Sequence, residues 1–219
     1  MHAKSAETRS RILEAAMDLF RRQGFEETTM REIAAEAAVA TGAAYYYFDS
    51  KDAIALAFYD QAQQDLEPLI GQALAGGKHL RDRLGALLEA KLKYFEPNRR
   101  LLGALAAHAD PEHPLSPFSA RTREIRERDV ASFARVLEAS AIRVARDLEP
   151  YLPRILWMYQ MGLILFWIYD RSPGQARTHT LVRKSAAIVE RLVKLAAFPL
   201  MRPVRRMVAD LMRTVTEES

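Results

Sequence analysis

The stretch from Thr28 to Lys51, TTMREIAAEAAVATGAAYYYFDSK, constrains the fold most strongly, because its pattern predicts two short helices joined by a tight turn. Thr29 followed three residues later by Glu32 matches a capping box, in which each residue caps the other, so a helix is expected to begin there. Small apolar residues then recur on one narrow face of this helix and let a second helix approach closely. We place the turn at residues 37 to 40.

The second predicted helix, residues 41 to 48, carries no charge and ends in the run Tyr45, Tyr46, Tyr47 and Phe48. Successive residues on a helix point about 100° apart, so four adjacent aromatic side chains cannot all be buried on one face. Some are expected to face solvent or a partner. The alternative is a helix buried in a bundle, but a tyrosine ring suits a thymine methyl group and its hydroxyl suits a phosphate, which favours DNA contact.

Two flanking features fit the same interpretation. Gly42 would allow the helix backbone to come close to a duplex, because it carries no side chain. Lys51 follows the predicted N-cap Ser50 and therefore lies where a helix N-terminus also favours an anion. Phosphate is the expected anion.

These residues resemble the helix-turn-helix of the TetR, or tetracycline-repressor, family of bacterial transcription regulators. The matching positions are Thr29, Ile33, Ala34, Ala37, Val39, Gly42, Tyr45, Tyr47, Phe48, Ser50 and Lys51. Three positions depart from the family pattern: Ala38 replaces a turn glycine, Ala40 a capping Ser or Thr, and Thr41 a common lysine. A left-handed Ala38 costs about 1 kcal/mol relative to glycine, and Thr41 is expected to take over the cap.

The resemblance implies contacts with double-stranded DNA. They are expected from Thr29, Arg31, Thr41, Gly42, Tyr45, Tyr46, Tyr47 and Lys51. The net charge of this segment does not add support for DNA binding, since the first 51 residues hold seven Lys and Arg against eight Asp and Glu. A few positioned cations must therefore act in place of a broad basic field, and the candidates are Lys4, Arg9, Arg31 and Lys51.

The whole chain has 219 residues, of which 49% are apolar and 27% charged, so it can bury a substantial core. It contains no cysteine, which excludes disulfides and thiolate metal sites. No strand-like alternation is present, so the predicted fold is all-α with about nine to ten helices. A three-helix helix-turn-helix domain, residues 1–52, is expected to continue into a helical ligand-binding and dimerisation domain, residues 53–219.

Apolar periodicity, prolines and glycines predict the remaining elements. They give a first helix over residues 6–23, a fourth from Lys51 to Gly76 kinked at Pro68, a fifth ending near Phe95, a sixth after Pro97, a loop at 110–117, a long seventh at 117–147, and further helices at 154–170, 175–197 and 204–213.

The helices at 154–170 and 175–197 are predicted to form a dimer interface. The first is apolar around its whole circumference and is expected to be buried all round. Because one chain of this size offers too few partners for both helices, a bundle of four helices, two from each protomer, is expected. Its residues are Trp157, Ile164, Trp167, Leu181, Ser185, Ile188 and Leu192.

Several other classes are disfavoured. His108, Asp110, Glu112 and His113 could ligate a metal, but they lie in a proline-rich loop without a third cluster, so no metal or cofactor is predicted. No phosphate-binding glycine loop or nucleophile motif is present, and an enzyme is not expected. The longest apolar run, Ile155 to Tyr169, would reach only about 22 Å as a helix, too short for a bilayer of roughly 30 Å. With no signal peptide, the expected location is cytoplasmic.

The resemblance further implies a small molecule held among the fourth to eighth helices. The candidate contacts are Tyr59, Leu87, Leu102, His108, Phe133, Met158, Met161 and Phe166, each of which also fits an ordinary core position. The predicted function is a ligand-responsive repressor that binds a palindromic operator as a homodimer and is released by a largely apolar effector. The alternatives are a DNA-binding regulator without an effector, and a helical enzyme or carrier.

Overall fold

The computed structural model describes residues 2–106 and 110–217. Within these ranges the chain forms ten α-helices and three short 3₁₀ helices and contains no strand, which confirms the all-α prediction. The α-helices are α1 (His2–Arg22), α2 (Met30–Glu36), α3 (Thr41–Tyr47), α4 (Lys51–Ala75), α5 (Leu80–Phe95), α6 (Arg99–Ala106), α7 (Arg123–Ala139), α8 (Leu152–Tyr169), α9 (Ala176–Ala196) and α10 (Arg202–Glu217). None of these helices is both long and apolar enough to cross a membrane.

The chain packs as two compact units, Met1–Gln64 with Phe95–Ile125, and Asp65–Tyr94 with Arg126–Ser219. The helix α4 contributes its first half to one unit and its second half to the other, and Pro68 lies inside it. Each unit combines two stretches of the chain that are separated in sequence but pack together. The functional division into residues 1–52 and 53–219 stays a prediction.

The first unit is organised around the inner faces of α1, α2, α3 and the start of α4. Its largest fully buried side chains are Ile12, Phe20, Ile33, Ile54 and Leu101. The rings of Phe20 and Phe25 lie 5.0 Å apart between centroids, so the residue after the Gly24 turn packs back onto α1 as apolar burial requires. This core fixes the inner sides of α2 and α3.

A buried polar cluster ties together three helices of the second unit. Lys91 of α5 is 5% exposed, and its ammonium donates to Asp129 and Ser132 of α7 and to Gln160 of α8. The Gln160 amide donates to the second oxygen of Asp129 at 2.7 Å. The ammonium also lies 4.6 Å from the centroid of the Phe133 ring. Because every member has partners, the cluster fixes how these helices pack.

Two buried carboxylates accept hydrogen bonds from backbone N–H groups at the N-terminal ends of α5 and α9. Glu190 of α9 accepts a hydrogen bond from the backbone N–H of Arg81, at the first turn of α5. Asp170 follows α8 and accepts from the backbone N–H and hydroxyl of both Ser172 and Thr178, at 2.7 to 2.9 Å. Burial alone would raise the pKa of the Asp170 carboxyl, but these four hydrogen bonds outweigh it and hold the pKa well below its ordinary value.

The structure corrects the predicted seventh helix, which is shorter at both ends. Before α7, the hydroxyl of Thr122 donates to the carbonyl of Ser116 at 2.7 Å and keeps the chain in turns. After α7, the hydroxyl of Ser140 donates to Val136 in place of a continuing helix, and the N–H of Ala141 donates to the distant carbonyl of Lys78. Hydroxyl groups that bond to nearby backbone carbonyls compete with the backbone hydrogen bonds of a helix. The helix therefore ends although the spacing of apolar residues continues.

The eighth helix is correctly placed but is not buried all round within the protomer. Leu165, Phe166 and Tyr169 are exposed, whereas Trp157 and Trp167 are buried in the second unit. An apolar helix therefore keeps one face uncovered in this chain.

Candidate functional site

The capping box predicted at the start of α2 is confirmed. The Thr29 hydroxyl accepts from the N–H of Glu32 at 3.2 Å, and the Glu32 carboxylate accepts from the N–H and hydroxyl of Thr29 at 2.8 Å. The hydrogen bond from the Thr29 hydroxyl is the main reason that the pKa of Glu32 is lowered. This local exchange fixes where α2 begins.

The turn between α2 and α3 contains the left-handed residue expected there. Ala38 has φ of 51°, and the N–H of Val39 returns to the carbonyl of Ala34 at 2.9 Å. The expectation that Thr41 caps α3 is wrong: the N-cap is Ala40, which offers no side-chain hydrogen bond, and Thr41 is the first helical residue. The helix α3 therefore begins without a side-chain cap.

The helix α3 divides sharply into an inner and an outer face. Ala44 and the C-cap Phe48 are buried in the first unit, and Tyr47 is half-buried against the same core. Tyr46 is 82% exposed and Tyr45 is 52% exposed. Of the four aromatic residues, two therefore face away from the protein, as their helical spacing predicts.

Thr41 and Gly42 extend this outer face toward the start of α3, and both are exposed. A Cβ atom added at Gly42 would meet no side chain and no neighbouring segment within 4 Å in the part of the chain that the structure describes. Packing among these residues therefore does not require glycine there, and the missing side chain would favour a close approach from outside. Arg31 on α2 is also exposed. The outer face defined by Thr41, Gly42, Tyr45 and Tyr46 is called the α3 face below.

Lys51 has a different environment from the one expected. Its ammonium donates to the backbone carbonyls of Phe25 at 2.7 Å and Glu26 at 3.0 Å. It also lies 4.8 Å from the centroid of the Phe25 ring. Lys51 thus closes the loop after α1. Its neighbour Ser50 accepts from the N–H of Ala53 at 3.1 Å, which confirms Ser50 as the cap of α4.

The residues predicted for a dimer interface separate into two groups. Trp157 and Trp167 are buried within the protomer, so they have no surface left for a partner. Ile164, Leu181 and Ser185 are partly buried, and Ser185 is hydrogen-bonded to the Tyr159 hydroxyl. Exposed apolar side chains do occur on both helices at helical spacing, and we call them the α8–α9 face: Met158, Leu165, Phe166, Tyr169, Ile188, Leu192 and Leu195.

Sequence reasoning missed Leu165, Tyr169 and Leu195 of this face. The helix α8 is apolar around its circumference, so no periodicity in its sequence tells the outward side from the inward side. The only available signal was on α9, where Ile188, Leu192 and Leu195 recur at intervals of four and three residues.

The predicted ligand contacts lie in both units and are described within each. In the first unit Leu102 is buried, while Tyr59 is half-buried and burial raises its pKa. In the second unit Leu87 and Phe133 are fully buried, Met161 is half-buried, and Met158 and Phe166 belong to the α8–α9 face. His108 lies outside the described residues.

The suggested metal ligands have local partners where the structure describes them. The Asp110 carboxylate accepts from the N–H of Glu112, and the His113 imidazole accepts from the N–H of Leu115. Both contacts shape the turns before α7. Among the described residues no group of three potential ligands is suitably placed for a metal ion.

A capped helix, a tight turn and a second helix with exposed tyrosines and glycine define the class of helix-turn-helix DNA-binding proteins. Residues 12–58 match the family model described as "Bacterial regulatory proteins, tetR family". Residues 83–211 match the model described as "Tetracyclin repressor-like, C-terminal domain", which by itself covers more than half of the 219 residues. The chain belongs to the TetR family of DNA-binding transcriptional regulators.

Curated relatives resemble about a third of the chain. The HTH-type transcriptional regulator SrpR of Pseudomonas putida is 38% identical over 65 residues, which is 30% of this chain and 30% of that protein. The regulator HbdR of Aromatoleum sp. (strain CIB) is 38% identical over 78 residues, 36% of this chain and 34% of that protein. The matched segments thus span about a third of these relatives.

Solved structures resemble most of the chain. A TetR-family regulator from Streptomyces coelicolor has a TM-score of 0.67 and 20% identity, and the match covers 93% of this chain and 88% of that one. Thermus thermophilus FadR, described as a TetR-family repressor in complex with lauroyl-CoA, has a TM-score of 0.60 and 27% identity, covering 82% of this chain and 93% of that one.

Proposed function

We propose that this protein is a transcriptional repressor that binds a palindromic operator as a homodimer through the α3 face and is released by a small amphiphilic effector. The observation that carries the proposal is the division of α3, in which Ala44 and Phe48 anchor the helix while Tyr46, Tyr45 and Gly42 face outward. Exposed aromatic rings are costly in water unless a partner covers them. The major groove of a duplex admits such a helix.

The homodimer is supported by the α8–α9 face. One helix-turn-helix contacts only a few base pairs, whereas a two-fold dimer can contact two half-sites roughly 34 to 36 Å apart. A face of seven large, exposed apolar side chains on two neighbouring helices suits an interface between identical copies. Affinity for the palindrome then depends on the dimer.

An effector with an apolar chain and a polar group is supported by two features. Tyr59 is half-buried, burial raises the pKa of its phenol, and its hydroxyl forms no hydrogen bond with the residues that the structure describes. A partly desolvated hydroxyl with no partner among the described residues can still accept or donate a hydrogen bond, so a polar group of a ligand would stabilise it. The similar FadR of Thermus thermophilus binds lauroyl-CoA, which combines an apolar chain with polar groups. The effector acts only to the extent that it prefers the conformation with weak operator affinity.

A mobility-shift titration on the DNA upstream of the protein's own gene tests operator binding. Tyr46→Ala should weaken binding about 10- to 100-fold if a base contact is lost, with unchanged helicity. Gly42→Ala should weaken binding while stabilising the fold by up to about 1 kcal/mol, because alanine favours a helix. The matched control is Gly71→Ala on α4, where an added Cβ also meets nothing. If all three variants bound the operator as tightly as the wild type, the proposal that the α3 face contacts DNA would be wrong.

The effector is tested by adding lauroyl-CoA, and separately lauric acid and free coenzyme A, to the preformed complex. Release by an acyl compound, and a weaker response of Tyr59→Phe with unchanged operator affinity, are the expected results. If these compounds leave the complex intact at saturating concentration, the acyl class of effector is wrong, while operator binding is unaffected. A reporter gene under the same upstream DNA distinguishes repression from activation.

A further inference from the structure

The last helix, α10, has two separate apolar sides. Ala209 and Met212 face the second unit and are buried. Four other apolar residues of α10 and one in the 3₁₀ helix Pro199–Met201 just before it are exposed, and we call them the α10 stripe: Leu200, Val204, Met207, Leu211 and Val215. Leu200 is 89% exposed and Met207 is 71% exposed. Single exposed apolar residues are ordinary, but a continuous row of this length indicates a binding surface.

The α10 stripe is presented by an anchored helix. The Arg205 guanidinium donates to both oxygens of Asp147 at 2.8 and 2.9 Å, and to the carbonyls of Ala196 at 2.7 Å and Phe198 at 2.9 Å. The hydrogen bond from Arg205 holds the pKa of the Asp147 carboxyl below its ordinary value. The start of α10 is therefore tied to the end of α9 and to the segment before α8.

The spacing of the α10 stripe suits another helix. Within α10, Val204, Met207 and Leu211 follow one another at intervals of three and four residues, and Leu200 in the preceding 3₁₀ helix lies four residues before Val204. This is the repeat by which apolar residues of two helices interlock along a seam. A flat or disordered partner would not require such a repeat.

The α10 stripe continues the α8–α9 face along the chain. Leu192 and Leu195 are exposed at the end of α9, and Phe198 is exposed in the connection. Residues 195 to 201, LAAFPLM, include no charged side chain. An interface on the α8–α9 face would bring a second copy beside this connection, and two-fold symmetry would supply the same stripe from the partner.

An anionic membrane surface is the main competing occupant, because basic amphipathic helices often bind there. The arginines of α10 fit it poorly. Arg205 is committed to Asp147, and Arg213 lies 3.3 Å from Asp210 within the same helix. Two of the four arginines of α10 therefore lie beside carboxylates, which leaves Arg202 and Arg206 for an anionic surface.

We propose that α10 packs against the second copy of this chain, so that the α10 stripe extends the dimer interface beyond α8 and α9. This inference rests on the proposed homodimer. It requires that the partner contacts α10 as well as α8 and α9. Met207 and Leu211 are then buried only in the dimer.

The absence of cysteine allows single thiols to report on this burial. Met207→Cys places a thiol in the α10 stripe, and Arg206→Cys places one at the neighbouring exposed position outside it. Both thiols are alkylated with a maleimide across a range of protein concentrations, with the oligomeric state measured by sedimentation. The expected result is slow alkylation of Cys at 207 in the dimer, fast alkylation in the monomer, and fast alkylation at 206 throughout.

The outcomes separate this inference from the dimer itself. A dimer with equal alkylation at both positions overturns the inference and leaves the α8–α9 interface standing. Monomers at all concentrations overturn the dimer. Protection that is independent of concentration, or that develops only when vesicles containing anionic lipid are added, also overturns the inference.

A second variant measures the contribution of the stripe to affinity. Leu211→Glu should raise the dissociation constant of the dimer roughly tenfold or more, as expected when a buried interface residue is lost. Arg206→Glu is the control and should leave it within about twofold, since peripheral contacts contribute little. Thermal unfolding verifies that both variants are folded. Equal dissociation constants for the two variants would contradict a contact between Leu211 and the partner.

Discussion

Ala38 holds the backbone in a conformation that ordinarily belongs to glycine, with φ of 51°. The side chain is exposed, so no packing explains an alanine there. The strain comes from the close approach of its Cβ atom to the backbone. The turn nevertheless forms, because the buried faces of α2 and α3 determine it from both sides.

Replacing Ala38 by glycine is expected to stabilise the protein by about 1 kcal/mol, because the left-handed strain is removed. Chemical denaturation measures the change. Ala35→Gly, at an exposed position inside α2, is the control and should destabilise by roughly the same amount. A loss of stability in Ala38→Gly would show that the turn is not strained.

Lys51 and Arg31 are both cations near the helix-turn-helix, but among the described residues only Lys51 has partners. Lys51→Met should cost roughly 1 to 3 kcal/mol of stability, because two hydrogen bonds from a charged group are lost. Arg31→Met should leave stability unchanged and reduce the slope of operator affinity against salt by about one unit, as for one phosphate contact. Denaturation and salt titrations distinguish the two. If Lys51→Met reduced the salt slope and Arg31→Met reduced stability, Lys51 and not Arg31 would be the phosphate ligand.

At the scale of the helices, the junction between α8 and α9 depends on one ionised carboxylate. Because hydrogen bonds hold the folded pKa of Asp170 below its unfolded value, the carboxylate stabilises the fold above its ordinary pKa. This contribution is lost as pH falls from about 5 through the folded pKa. Asp170→Asn should therefore unfold at a lower temperature at neutral pH.

The same variant should also show a shallower fall in unfolding temperature as the solution is acidified. The exposed Asp49→Asn is the control, and its profile should follow that of the wild type. Calorimetry at several pH values makes the comparison. Parallel profiles for Asp170→Asn and the wild type would exclude Asp170 as a source of acid sensitivity.

The cluster around Lys91 should behave as a unit. Lys91→Met leaves the Asp129 carboxylate, which is 13% exposed, without its cation and should cost roughly 3 to 5 kcal/mol. Adding Asp129→Leu removes the second charge and should recover much of that loss. A double-mutant cycle measured by denaturation gives the coupling. Additive losses would contradict the buried pair.

Local rules predicted the caps at Thr29 and Ser50 but failed for α3, where Thr41 was expected and Ala40 is the N-cap. Contacts distant in sequence explain why the predicted ends of α7 are wrong. Thr29 and Ser50 could be identified because a cap needs only residues within one turn. The end of α7 could not, since it depends on the carbonyl of Lys78, far away in sequence. The partners of Lys51 were missed for the same reason: they lie 25 and 26 residues earlier. Helical spacing predicted that some aromatic residues of α3 face outward but not which ones, since Tyr47, expected to contact DNA with Tyr45 and Tyr46, is half-buried against the core.

At the scale of the whole molecule, dimerisation and operator binding should be lost together. Ile188→Glu puts a charge into the α8–α9 face and should raise the dimer dissociation constant at least about 100-fold. Operator affinity should fall with it, because in the proposed complex each protomer contacts one half-site. Arg183→Glu, at an exposed position of α9 outside that face, is the control. Sedimentation and mobility shift measure both quantities. A monomeric Ile188→Glu that binds the palindrome as tightly as the wild type would disprove the coupling.

The two-sided character of α3 has an evolutionary consequence. Substitutions at Thr41, Gly42, Tyr45 and Tyr46 touch no core, so most should change folding stability by less than about 0.5 kcal/mol. Changes at the buried Ala44 would instead be removed by selection as folding defects. With the α3 face in its proposed role, the copies of a duplicated gene can therefore come to bind different promoters through a few mutations on one exposed surface, while the core stays under separate constraint.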